Sequence, residues 1–135
     1  MKKLACVLVT LAACRPILSV ESPAPPGRAA RLDEVNGFWG LQSYRMELSA
    51  GVALALTCTK GSPCEHMKVV SDDPAIAEVR PASLGVLQKD PWGRSAQQTS
   101  AALVVVGKAP GTTTVHVRSK DGDRDVRITV VPPPT

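Results

Sequence analysis

Four cysteines and two histidines carry most of the reactive chemistry in this chain. Cys58 and Cys64 bracket Thr-Lys-Gly-Ser-Pro and are followed at once by Glu65 and His66. That gap is wider than the roughly two to four residues between paired zinc-ligating cysteines, and no second pair completes a four-ligand site. A disulfide suits the two better. Gly61-Ser62-Pro63 is a turn sequence that can bring two Cα atoms within the roughly 7 Å reach of a bridge. Closing so short a loop would stabilise the fold by about 2 kcal/mol in the chain-entropy picture. Asp121-Gly122-Asp123-Arg124-Asp125 has the acid density of a calcium loop, but the sixth position is Val126 where that loop needs glycine, and the distal glutamate is missing. It reads as a solvated hairpin tip. In Gly107-Lys108-Ala109-Pro110-Gly111 the lysine precedes the second glycine, the reverse of a phosphate-binding loop. His66 and His116 have no nucleophile-elbow motif to serve. The expectation is therefore no catalytic residue, no metal and no cofactor.

Cys14 raises a different chemistry. Lys2 and Lys3 are followed by the apolar run Leu4–Ala13, the build of an export signal and too short for a bilayer span of about 20 residues. Arg15 and Pro16 end the run directly after Cys14. Leu11-Ala12-Ala13-Cys14 resembles the bacterial lipobox: a branched residue, two small residues and then the modified cysteine. The resemblance implies diacylglycerol on the Cys14 sulfur and cleavage before it, giving a signal peptide over 1–13. A cysteine is needed because its thiolate is the nucleophile that takes up the lipid. Two or three palmitate-length chains, at about 0.8 kcal/mol per buried CH₂, hold a protein on the membrane effectively permanently. Cys6 lies in the removed segment. Export leaves Cys58 and Cys64 in an oxidising compartment, where a disulfide persists. Arg15 in place of aspartate after the cysteine implies outer-membrane sorting in a cell with two membranes.

The formal net charge is +4, of which Lys2 and Lys3 supply two. The remainder is too weak and scattered for a nucleic-acid footprint, and Phe38, Trp39, Tyr44 and Trp92 are too few for base stacking. No nucleic-acid partner is expected.

The elements that must carry these residues read as follows. Residues 14–42 contain Pro16, Pro23, Pro25 and Pro26 and read as a Pro-rich tether, with Phe38 and Trp39 near its end. From residue 43 the pattern becomes short strands separated by turn signals. Val52, Leu54, Leu56 and Cys58 alternate with smaller residues. Residues 66–70 read as a strand, and 76–79 as a short one. Ala101–Val106 is a continuous apolar run, expected to be a central strand covered on both faces. Thr113, Val115 and Val117 face one way, and Thr114, His116 and Arg118 the other. Asp121-Gly122 is expected to form a type I′ turn, after which Val126, Ile128 and Val130 pair back. Pro132–Pro134 end the domain, leaving 132–135 as a tail. The economical solution is an all-β antiparallel immunoglobulin-like sandwich of about seven strands over 43–131.

The stretches SDDPAIAEV (71–79) and VVVGKAPGTTTVHVRSKDGDRDVRITVV (104–131) resemble the bacterial immunoglobulin-like group 2 domain. They are equally similar to the small N-terminal domain of pilus-assembly secretins. The chain departs from both in its Cys58/Cys64 pair and in about 20 extra residues between Val79 and Ala101. The 135 residues hold no stretch resembling a secretin pore domain, so a pore role is not expected of them. The resemblance implies a non-catalytic binding or structural module of the cell envelope; the alternative is an accessory lipoprotein docking to a pilus or secretion machine. The expected partners are the membrane, through the lipid, and another envelope protein or a polysaccharide. The inserted loop 80–100 is the candidate recognition surface, with Leu84, Leu87 and Trp92 as its apolar side chains and Trp92 as the anchor. An added hairpin over 84–93 is the structural alternative for the same residues.

Overall fold

The computed structural model describes residues 15–37, 42–89 and 95–135, with the backbone alone over 83–89 and 95–100. Within them the chain forms strands β1 (Ile17–Val20), β2 (Ala30–Asn36), β3 (Gln42–Ser49), β4 (Ala53–Thr59) and β5 (Lys68–Ser71). They are followed by β6 (Ala77–Lys89), β7 (Ser95–Gly107), β8 (Gly111–Ser119) and β9 (Gly122–Val131). One sheet has the order β1-β4-β7-β6, the other β2-β3-β9-β8-β5. The period-two pattern decides what each sheet buries. Leu54, Leu56, Leu103 and Val105 from the first sheet meet Met46, Leu48, Val115, Val117, Val126, Ile128 and Val130 from the second in one core. Each such side chain contributes about 1.5–3 kcal/mol when fully removed from water. The expected all-β sandwich is what the chain builds.

Several details differ from the sequence reading. There are nine strands among the described residues, and β3 runs parallel to β9 in an otherwise antiparallel arrangement. A parallel neighbour requires a long crossover, which the chain supplies by visiting the other sheet between β3 and β9.

Residues 14–42 are not simply a tether, because β1 and β2 are edge strands of the two sheets. The prolines mislead because they lie outside the strands: Pro16 immediately precedes β1, and Pro23, Pro25 and Pro26 lie in the β1–β2 connection. An edge strand pairs on one side only and needs little apolar surface. Here β1 buries Leu18, and β2 buries Ala30 with Leu32 and Val35 half-buried. The connection is itself tied down, Glu21 N donating to Ala55 O at 3.1 Å and Ser49 N to Ala29 O at 2.8 Å.

Further corrections are local. β7 is central, and its inner residues Leu103 and Val105 are fully covered; on the outer face Ala102 is buried, whereas Val104 and Val106 are half-buried. The strand expected at 66–70 begins at Lys68, because His66 takes a left-handed φ of 51° that an extended strand cannot continue through. In the β8–β9 hairpin Ser119 pairs with Gly122, so the two loop residues are Lys120 and Asp121. Neither has a positive φ; the demand falls on Gly122 (φ 131°), in place of a type I′ turn on Asp121-Gly122.

Gly107 marks where β7 closes against the other sheet. Its N–H donates to Val52 O at 2.9 Å and its carbonyl accepts from Gly51 N at 2.8 Å. A Cβ there would stand 2.9 Å from Ser49 O, so the backbones can approach only because no side chain intervenes.

Candidate functional site

The expected disulfide is present: Cys58 and Cys64 are bonded, with Cα atoms 5.5 Å apart and both residues buried. The loop between them closes as a miniature hairpin, with Cys64 N donating to Cys58 O at 3.0 Å and Gly61 taking a φ of 73°. It also ties the two sheets together at one end of the sandwich. Glu65 N donates to Asp121 Oδ2 at 2.9 Å, Lys120 N to Glu65 O at 3.0 Å, and Lys60 Nζ to Asp121 O at 3.1 Å. The acid-rich turn is thus a docking point for the disulfide loop, with the Asp121 carboxylate accepting from the Glu65 backbone N–H and its carbonyl from the Lys60 ammonium. Among the described residues no cluster of His, Cys, Asp and Glu has metal-site geometry.

His116 lies on the outer face of the five-stranded sheet, as the alternation requires, with 29% of its side chain exposed. Its Nδ1 is 2.8 Å from Asp125 Oδ1 on β9, and its Nε2 is 2.8 Å from Asp72 Oδ1 just beyond β5. Both ring nitrogens therefore donate when the ring is charged, and hydrogen bonds to Asp125 and Asp72 raise the His116 pKa above its ordinary value of 6.5. Arg118 extends the network, its guanidinium donating to Asp125 Oδ1 at 2.8 Å. Burial alone would push the Asp125 carboxyl up, but the hydrogen bonds from Arg118 and His116 outweigh it and lower its pKa. While both ties stand, neither imidazole nitrogen is free to take a proton from a nucleophile. Chemically the cluster is a clamp that joins the end of β5, β8 and β9.

Arg124 is the polar residue that the sequence reading misplaced. By sequence it belongs to the acid-rich tip, yet it is in phase with Val126, Ile128 and Val130 and is only 4% exposed. The same alternation that picks out the valines also marks it. Its Nε donates to Pro16 O at 2.7 Å and one terminal nitrogen to Gln42 O at 3.1 Å. The guanidinium lies 5.3 Å from the Tyr44 ring centroid. Tyr44 Oη in turn accepts from Leu18 N at 3.2 Å. One buried cation therefore fastens the start of β1, the start of β3 and β9 together. Beside it lies a cleft of about 570 Å³ whose lining includes Arg15, Ser43, Arg118, Asp123 and Asp125. Its charges are mixed in sign, and Arg118 and Asp125 already pair with each other.

Residues 80–89 and 95–100 pair as the two strands of a hairpin, the structural alternative for this stretch. β6 pairs with β7 continuously from Ala77↔Gly107 to Lys89↔Ser95. Leu84 and Leu87 lie on β6, whereas Trp92 falls outside the described residues, as does Cys14. The hairpin and Cys14 are not brought to His116 or to the Arg124 cluster by any described contact.

No protein-family model matches the chain, and no curated protein matches it in sequence. Among solved structures, domains 4 and 5 of the S-layer protein SbsC align with 85% of this chain at 18% identity and a TM-score of 0.44. Domains 1–6 of that protein align with 88% of it at 18% identity and a TM-score of 0.46. The chain spans 54% of the length of the first and 14% of the second.

Proposed function

We propose that this chain is an exported, lipid-anchored protein of the bacterial cell envelope whose folded part is one immunoglobulin-like module acting by structure and binding, without catalysis. The carrying observation is Leu11-Ala12-Ala13-Cys14 at the end of a charged-then-apolar leader, three residues before β1. The Cys58–Cys64 bridge supports export, since such bridges persist in oxidising compartments. The occupied state of both His116 nitrogens supports a structural role for the cluster of His116, Asp72, Asp125 and Arg118. Anchoring would concentrate the module at the membrane, where it would space or hold another envelope component.

Fractionation of cells expressing the wild type and Cys14→Ser tests this reading. The wild type should remain with membranes after a salt wash and the variant should be released. A variant retained as firmly as the wild type would overturn it.

A further inference from the structure

On the outer face of the five-stranded sheet most charges pair off. Arg31 lies 3.4 Å from Asp33 and 3.7 Å from Glu47, and Asp125 stands 2.8 Å from both His116 and Arg118. Two arginines are left over. Tyr44 and Met46 on β3 are buried, as are Val126 and Ile128 on β9, and the alternation turns Arg45 and Arg127 outward. Both are exposed, and they stand directly opposite each other where β3 and β9 run side by side. Among the described residues neither forms an ion pair, the neighbouring acids Asp33, Glu47 and Asp125 being held by other cations.

Like charges directly opposite on adjacent strands work against the sheet. The strands are about 4.8 Å apart, so two guanidinium forks rising from them can share one oxoanion. β3 and β9 each have a strand on both sides, which gives the pair a rigid base. Next to Arg127 in the register stands Thr114, and one row further Thr129 faces Thr112. Their hydroxyls donate and accept hydrogen bonds, as sugar hydroxyls do.

The same surroundings select among anionic partners. The centre of a protein interface is poor in charge and rich in apolar side chains, whereas the side chains around this pair are charged or hydroxyl-bearing. An anionic membrane or a nucleic-acid backbone rewards an excess of basic residues. Here Arg31, Arg45 and Arg127 are matched by Asp33, Glu47 and Asp125. A polymer with spaced carboxylates and many hydroxyls fits this face better than any of the three.

We propose that the Arg45–Arg127 pair is a binding site for an acidic polysaccharide, the two guanidinium groups sharing a sugar carboxylate and the flanking threonines meeting sugar hydroxyls. The inference rests on the reading of the folded part as a binding module and is independent of Cys14.

Full-length protein in a non-ionic detergent is titrated calorimetrically with polygalacturonate, with polyglutamate and with neutral dextran. Polygalacturonate should bind more tightly than polyglutamate, and dextran should not bind. Arg45→Gln combined with Arg127→Gln should weaken polygalacturonate binding about tenfold. Arg28→Gln, at an exposed site on the β1–β2 connection, should leave it unchanged. The double variant should melt no lower than the wild type, since it removes only exposed like charges. Absence of polygalacturonate binding by the wild type, or equal binding by the double variant, would overturn the site. Equal or tighter binding of polyglutamate would overturn the polysaccharide in favour of an acidic protein. None of these outcomes bears on the lipid anchor, which fractionation of Cys14→Ser tests separately.

Discussion

The β8–β9 hairpin and the segment 15–37 belong to one sandwich, yet they are held in it by different means. On the hairpin's inner face, Thr113, Val115 and Val117 and the paired Val126, Ile128 and Val130 are all buried. The N-terminal segment buries little more than Pro16, Leu18 and Ala30. It is held instead by backbone pairing to β4 and β3 and by one buried guanidinium, that of Arg124, on Pro16 O. A strand can thus be specified by side-chain periodicity or by an edge that waits for a partner, and only the first leaves a strong mark in sequence.

The largest effect should come from removing residues 15–37. A tether could be lost without consequence, whereas loss of β1 and β2 exposes the edges of β3 and β4. Cooperative thermal unfolding should disappear, and an unchanged melting transition would restore the tether reading. Next in size, Ile128→Ala should cost about 2–5 kcal/mol in denaturant unfolding, with Leu18→Ala toward the lower end of that range because it sits on an edge strand. Equal losses would mean that the two regions contribute alike. Replacing both Cys58 and Cys64 by serine should cost about 2 kcal/mol, read as a lower midpoint at unchanged slope.

The smallest effect concerns the outer face. The folded-state pKa of His116 is raised, so its stabilisation is complete below 6.5 and is lost as pH rises through the raised value. The lowered Asp125 pKa works oppositely, its contribution falling away in acid below its ordinary 3.8. Wild-type stability should therefore decline from mildly acidic to mildly alkaline pH, and His116→Gln should flatten that slope. A slope unchanged in His116→Gln would remove the clamp from the explanation.

Much of the core was legible because period-two patterning maps directly onto burial: Leu54, Leu56, Val115 and Ile128 are where alternation puts them. The Cys58–Cys64 bridge was legible because loop length and turn residues bound the distance between its Cα atoms. β1 and β2 were not, since four prolines outweighed a single inward leucine and alanine, although none of those prolines lies inside a strand. Arg124 was obscured by the acids around it, even though its phase with Val126 pointed inward. The partners of His116 were hidden for another reason: Asp72 is distant in sequence and joins it only through the pairing of β5 with β8.

The most direct test of a lipid-anchored module is the chemical state of Cys14. Detergent phase partitioning combined with mass analysis of the N-terminal peptide reads it. Lipid anchoring predicts that the mature wild type enters the detergent phase and begins at a Cys14 carrying diacylglycerol, and that Cys14→Ser stays in the aqueous phase without the modification. An unmodified Cys14 in wild-type protein recovered from cells would contradict it.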